Sequence, residues 1–200
     1  MTIASTARIL RRIRRAGVVR PRDLDALGLT RTRLARLTAE GRVQRVGRGL
    51  YTATDAPITE HHSLATAAKR VPRGVVCLLS ALRYHDISTQ APFEVWIAIG
   101  EKDWRPTSGT PPMRVVRFSG HALSSGIEVH LIEGVRVKAY NPAKTIADCF
   151  KYRNKIGLDV AIEALRGALH RNLCNVDELW KYAEICRVAT VMRPYLDVLA

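Results

Sequence analysis

The stretch GLTRTRLARLTAEGRVQRVGRGLY, residues 28–51, predicts a tight corner, a capped helix and a short β-hairpin in direct succession. Gly28 suits the left-handed conformation that a corner between two helices requires. Thr30 can cap the helix that follows, which we expect over residues 31–40.

The predicted helix has two contrasting faces. Leu34 and Leu37 fall on the side that would pack inward. The other side carries small residues and an arginine (Thr32, Ala35, Arg36 and Ala39), with Arg31 and Arg33 near the start of the helix. Small residues allow close approach to the floor of a DNA groove, and arginines reach base edges or phosphates, so this is the composition of a recognition helix.

The second half of the stretch predicts a hairpin with a basic tip. Val43 and Val46 alternate with polar residues, Gly47, Arg48 and Gly49 form a turn, and a returning strand begins at Leu50. A hairpin that follows a recognition helix is a wing. Three of its arginines are placed to touch the DNA backbone or minor groove, namely Arg42, Arg45 and Arg48.

Two helices are predicted upstream. Ser5 can cap the first, which turns Ile9, Leu10, Ile13 and Ala16 to one face and Arg8, Arg11, Arg12 and Arg15 to the other, and Gly17 can end it. The second begins at Pro21 and has Leu24 and Leu27 as core contacts. Residues 1–54 therefore predict a winged helix-turn-helix DNA-binding domain.

The charge distribution supports a polyanionic partner for this domain. The chain carries a formal net charge of +14, and residues 1–50 contain 13 arginines, no lysine and three acidic residues, which gives 13 − 3 = +10. Such asymmetry favours nucleic acid. Two other interpretations stay open, an arginine-rich surface that serves solubility and a winged helix that binds protein.

The remainder predicts a second domain over residues 60–200, after a polar linker at residues 52–59. Strands come first, and three helices with apolar stripes follow, one of them carrying Leu158, Ile162, Leu165 and Leu169. The fold class is therefore α+β, with an N-terminal winged helix-turn-helix followed by a mixed strand-then-helix C-terminal domain.

The sequence offers no recognisable catalytic motif. It contains no P-loop, GxGxxG, HExxH or GxSxG pattern, and Glu94, Glu101 and Lys102 lack the spacing of a metal-dependent nuclease. Four cysteines are far apart, which favours reduced and mostly buried thiols, and Lys144 can pair with Asp148 one helical turn away. We expect no enzyme activity, catalytic residue, metal or cofactor, no membrane span, and a cytoplasmic location.

Several motifs together resemble one known family. They are GLY at residues 49–51, SALRYH at 80–85, YNPAKTIADCFK at 140–151, KIGLD at 155–159 and MRPY at 192–195. In this order they resemble the AbiEi family, the antitoxins of type IV toxin–antitoxin systems linked to abortive phage infection. The resemblance covers nearly the whole chain.

The resemblance implies two roles. The winged helix would bind inverted repeats in the promoter of its own operon and repress it, and the C-terminal domain would neutralise a nucleotidyltransferase-like toxin, with or without direct contact. Two alternatives stay open: a stand-alone winged-helix transcriptional regulator whose second domain binds a ligand or forms dimers, and an enzyme with a divergent nuclease domain.

Overall fold

The computed structural model describes residues 5–199, apart from the side chains of Ala26, Leu27 and Leu199. The predicted core contact at Leu27 therefore lies outside the described side chains. The chain forms two compact units. The first contains Met1–Arg73, Pro106–Pro112 and His130–Val137, and the second contains Gly74–Arg105, Met113–Val129 and Lys138–Ala200. The first unit thus holds more of the chain than the winged helix predicted over residues 1–54.

Three short helices begin the first unit: α1 (Thr6–Ala16), a 3-10 helix (Pro21–Leu27) and α2 (Arg31–Ala39). The predicted caps are confirmed, because the side chain of Ser5 accepts a hydrogen bond from Arg8 N and that of Thr30 accepts one from Arg33 N. Gly28 adopts the left-handed conformation, with φ +67°. The core of these helices is apolar and includes Ile9, Leu10, Ile13, Leu24, Leu34 and Leu37.

The wing consists of β1 (Val43–Gly47) and β2 (Leu50–Ala53), paired antiparallel with a bulge between Arg45 and Gly47. An isolated bridge joins Val19 to Tyr51 and fastens the returning strand to the helices. The predicted linker began too early, since Thr52 and Ala53 belong to β2 and are buried. The sequence pattern did not indicate the end of this strand, because Thr52 is a polar residue at a buried position.

Three further segments complete the first unit: helix α3 (His62–Arg70), the loop Pro106–Pro112, and the turn at Glu133 and Gly134 that joins strands β6 (Ile127–Ile132) and β7 (Val135–Tyr140). The turn packs against the end of α1 at very short range. A Cβ atom added to Gly17 would lie 1.8 Å from the carbonyl oxygen of Glu133, and one added to Gly134 would lie 2.1 Å from that of Arg15. Glycine is therefore required on both sides of this contact.

We expect Gly17→Ala to lower the free energy of unfolding by about 2–4 kcal/mol, because it combines left-handed strain with overpacking. Urea denaturation measures the loss. Gly41→Ala is the matched control, since Gly41 has nearly the same φ, +68°, and nothing lies within 4 Å of its added Cβ. It should lose about 1–2 kcal/mol, from strain alone. Equal losses in the two variants would contradict the close contact with Glu133.

The second unit is built on the sheet order β5-β4-β3-β7-β6, which confirms the predicted α+β class. Its other strands are β3 (Val75–Val76), β4 (Val95–Gly100) and β5 (Met113–Phe118). The helices are α4 (Leu78–Tyr84), α5 (Gly120–Ser124), α6 (Pro142–Lys151), α7 (Arg153–Ile156), α8 (Leu158–His170), α9 (Val176–Ile185) and α10 (Ala189–Leu199). Within residues 5–199, no helix is long and apolar enough to cross a membrane.

The stripe predicted on α8 is confirmed in part. Leu165 is fully buried, Ile162 and Leu169 are half-buried and pack against the core, and Leu158 is exposed. The buried face consists of Val160, Ala161, Ala164, Leu165 and Ala168. Three of these residues are alanines, which a stripe assigned by large side chains left out.

The predicted pairing of Lys144 with Asp148 is confirmed inside the core of the second unit. Lys144 Nζ lies 2.6 Å from both carboxylate oxygens of Asp148, and neither side chain is more than 3% exposed. The ammonium also lies 4.2 Å from the ring centre of Tyr140, and the thiol of Cys186 donates to Asp148 Oδ1 at 3.3 Å. Burial raises the pKa of Asp148 to about 6, although Lys144 acts against that rise.

Candidate nucleic-acid interface

Helix α1 presents an exposed face of four arginines, as predicted. Ile9, Leu10 and Ile13 are at most 2% exposed, so the helix is held firmly by its apolar side. The opposite side points to solvent and carries Arg8, Arg11, Arg12 and Arg15. Like charges at helical spacing repel one another, and a bound polyanion would relieve that repulsion.

Arg14, on the same helix, is paired with a carboxylate of the protein. Its guanidinium forms two hydrogen bonds with the carboxylate of Asp55, at 2.8 Å from Nε and 2.5 Å from Nη2. The hydrogen bonds from Arg14 lower the pKa of Asp55 below its ordinary value, so this carboxylate stays ionised at neutral pH. Arg14 is thus neutralised within the protein.

Helix α2 keeps its predicted outer face. Thr32, Ala35, Arg36 and Ala39 are exposed, while Leu34 and Leu37 are buried. Arg36 Nε lies 3.4 Å from Glu40 Oε1, one turn further along the helix. An exposed pair of this kind contributes little stability, so Arg36 can exchange Glu40 for a base edge or a phosphate.

Arg33 differs from the other predicted DNA-contacting arginines. Its side chain is half-buried, and Nη2 donates a hydrogen bond to Thr6 Oγ1 at 3.1 Å. This contact links the start of α1 to the start of α2. The structure therefore gives Arg33 a packing contact, and its contact with DNA stays a prediction.

The wing exposes its three predicted arginines, Arg42, Arg45 and Arg48. Arg45 Nε donates to the carbonyl oxygen of Gly47 at 3.1 Å, which holds this guanidinium beside the bulge. Arg48 stands at the turn, where no strand pairing restricts its side chain. These positions suit contacts with a sugar–phosphate backbone, which requires reach more than fixed geometry.

A concave groove with a volume of about 510 Å³ brings two of the predicted arginines together. Arg31 at the start of α2 and Arg48 at the tip of the wing both line it, as does Thr30. Two residues that sequence reasoning missed, Arg20 and Arg22, line the same groove, together with Asp25. Four arginines against one acidic residue make this groove a strongly positive surface.

The signal for Arg20 and Arg22 was present in the sequence. They flank Pro21, at the first turn of the 3-10 helix, and the prediction considered only the apolar face of that helix. A short helix places its first turn next to the following corner, which brings these arginines to the start of α2. A prediction of the DNA-contacting surface should therefore include charged residues in the turn before the recognition helix.

One acidic residue beside the groove, Asp23, accepts hydrogen bonds from other residues of the first unit. Asp23 Oδ2 accepts hydrogen bonds from Arg20 N at 3.0 Å and from Lys69 Nζ at 2.9 Å. Burial acts to raise the pKa of Asp23, but these bonds outweigh it and hold that pKa below its ordinary value. The carboxylate is thus compensated by Lys69 and opposes an approaching polyanion less than a free one would.

Within the described part of the chain, no three histidine, cysteine or acidic side chains converge as a metal site would require. All four cysteines are free, and Cys77, Cys149 and Cys186 are buried. Burial raises the pKa of the Cys77 and Cys149 thiols well above the ordinary value, so both stay protonated at neutral pH.

The fold and this arginine-lined surface define a winged-helix protein, and comparison with known proteins shows which family model this segment matches. Residues 7–54 match the AbiEi_4 family model, described as "Transcriptional regulator, AbiEi antitoxin". The predicted resemblance to AbiEi antitoxins is confirmed over these residues.

A solved structure shares the fold over a longer range. The RV2827C protein from Mycobacterium tuberculosis aligns with a TM-score of 0.61 at 14% sequence identity, over 89% of this chain and 70% of its own. At this identity the similarity establishes the fold alone. No curated protein sequence matches the chain.

Proposed function

We propose that this protein is a type IV antitoxin that represses its own operon by binding promoter DNA, and that it is not an enzyme. One observation carries the DNA-binding part of the proposal. The segment that matches the AbiEi regulators, residues 7–54, coincides with the part of the chain that concentrates exposed arginines on α1, α2 and the wing. A surface of this charge is what a DNA backbone requires.

In this proposal each element has a different task. Helix α2 enters the major groove, and its small outer residues let Arg36 approach the base edges. The wing and α1 contact phosphates on either side, and the groove lined by Arg31 and Arg48 holds the backbone where the helix enters. Two copies bind two half-sites of an inverted repeat, about one helical turn apart.

The antitoxin role rests on the family match, and we assign it to the part of the chain outside the matched segment. We propose that residues 60–200 neutralise a nucleotidyltransferase-like toxin encoded beside this gene, as part of phage defence by abortive infection. Co-expression with the neighbouring gene's product should restore growth. A neighbouring gene unrelated to nucleotidyltransferases would instead favour a stand-alone regulator.

We expect Arg36→Gln to weaken binding to the operator by about 1–3 kcal/mol, because it removes a contact that α2 places in the major groove. Fluorescence anisotropy with the operator duplex and single-base variants of it measures the change. If Arg36 contacts a guanine, discrimination at one base pair disappears. Equal weakening on every duplex would make Arg36 a phosphate contact.

Arg14→Gln is the matched control for Arg36→Gln. It removes the same charge from the same unit, but the Arg14 guanidinium already pairs with Asp55. We therefore expect a smaller loss of affinity that is the same for all duplexes. A loss as large as that of Arg36→Gln would show that total charge, and not the placement of α2, governs binding.

A further inference from the structure

A second cavity of the first unit, with a volume of about 440 Å³, lies beside the wing and apart from the groove described above. Three segments form its walls. Arg45 contributes from β1, three residues of α3 contribute one wall, and Thr110 and Pro111 contribute the third. The residues from α3 are His62, Ser63 and Thr66.

The imidazole of His62 is held in a fixed orientation. Its Nδ1 lies 2.7 Å from Glu133 Oε2, and Glu133 also accepts hydrogen bonds from the backbone and hydroxyl of Thr59. Burial acts to raise the pKa of Glu133, but these bonds hold it below its ordinary value. Glu133 is then an ionised acceptor, so Nδ1 carries a hydrogen and Nε2 is left on the side of Thr66, 3.5 Å from Oγ1.

The wall formed by Thr110 and Pro111 is also held by hydrogen bonds. Arg70 donates to the carbonyl oxygens of Thr107, Gly109 and Pro111 at 2.6, 2.8 and 2.7 Å. One guanidinium thus fixes the loop that supplies Thr110 and Pro111 to the cavity. Preformed walls favour ligand binding, because less conformational freedom is lost when the ligand enters.

The chemistry of the lining selects an anion. Arg45 provides a permanent positive charge, and three lining residues carry hydroxyl groups, namely Ser63, Thr66 and Thr110. None of the described lining residues is acidic. We propose that this cavity binds an anion of the phosphate class, with Arg45 as its charge partner and the hydroxyl groups as its hydrogen-bond donors, while His62 stands in the wall beside it.

Such an anion would come from one of two sources. It is either a free phosphate or phosphorylated small molecule, or a phosphate of a bound nucleic acid that passes the wing. Because Arg45 and Gly47 line the cavity and also form the bulge of β1, an anion bound here would contact the wing itself. The cavity and the groove at α2 share no lining residue, so the binding of free phosphate here can be measured without operator DNA.

The test is a titration of the full chain, labelled with ¹³C and ¹⁵N in histidine, with inorganic phosphate. Chloride keeps the ionic strength constant, and a His62→Gln variant assigns the ring signals of His62. We expect a saturable shift of those signals. Arg45→Gln should raise the dissociation constant for phosphate at least about tenfold, since one charge-assisted bond is lost.

Arg42→Gln is the matched control, because Arg42 is exposed just before the same strand and does not line the cavity. It should bind phosphate as the wild type does. Adding a DNA duplex then separates the two sources. If the duplex shifts the His62 ring signals and phosphate displaces it, the anion is a phosphate of the DNA. If the duplex leaves the His62 signals unchanged, the anion is a free one. A His62 signal that does not respond, or responds equally in Arg45→Gln, overturns the proposal.

Discussion

Replacing Lys144 by methionine should lower the free energy of unfolding by about 3–5 kcal/mol, as measured by urea denaturation. The substitution keeps most of the length of the side chain but removes the ammonium that lies 2.6 Å from both oxygens of Asp148. The carboxylate then stays buried with the Cys186 thiol as its remaining hydrogen-bond donor among the contacts described above. An uncompensated charge in this position is among the most destabilising changes a core can carry.

This loss should depend on pH in a defined direction. Asp148 has its pKa raised to about 6 in the folded protein, against an ordinary value of 3.8, so the folded state holds its proton more tightly than the unfolded state. Stability contributed by that proton is present below about pH 4 and is lost as pH rises through the folded pKa. Without Lys144 the folded pKa rises further, so the deficit of Lys144→Met should be larger at about pH 8 than at about pH 5.

The double variant Lys144→Met with Asp148→Leu tests whether the loss of stability comes from the uncompensated charge or from altered packing. It removes both charges and replaces them with apolar groups of similar volume, which is often neutral or stabilising. We expect it to recover most of the stability lost in the single variant. A double variant as unstable as Lys144→Met, or a single-variant deficit that does not change with pH, would contradict an electrostatic origin.

Replacing Arg22, Arg31 and Arg48 together by glutamine should weaken the binding of one copy to its half-site on the order of 100-fold, if each contributes about 1 kcal/mol through a phosphate contact. All three side chains are exposed and line the groove at the start of α2. Loss of three phosphate contacts per copy should also reduce the slope of log K against log salt for a half-site duplex by about 2.7. Anisotropy titrations at several salt concentrations measure both quantities.

The triple lysine variant separates charge from geometry. It keeps three positive charges, so the salt slope should stay near that of the wild type, while the paired hydrogen bonds of the guanidinium groups are lost. We expect an affinity between those of the wild type and the glutamine variant. If the glutamine variant binds with unchanged affinity and slope, the groove does not face the DNA.

Local signals explain why the winged helix could be predicted closely. Ser5, Thr30 and Gly28 each act on their immediate neighbours, and the apolar spacing of α1 depends on one helix alone. The capping box of α9 was predictable for the same reason, since Asn175 and Glu178 bond each other's backbone three residues apart.

Features that depend on distant residues could not be predicted in this way. The turn at Glu133 is more than 100 residues from Gly17, and no local pattern indicates that the two touch. The inward contact of Arg33 depends on Thr6, and the loop held by Arg70 lies 37 or more residues away along the chain. In α8 the pattern was local and located Leu165, but it left out the alanines of the buried face because it considered only large side chains.

The proposed function depends most on the binding of the basic winged helix to a DNA duplex. The direct measurement is the affinity of the full chain for the DNA upstream of its own gene, compared with a scrambled duplex of equal length, across a series of salt concentrations. We predict preferential binding to the upstream duplex, with log K falling linearly as log salt rises and a slope of about −5 or steeper. Absence of binding at low ionic strength by the correctly folded protein would contradict the account.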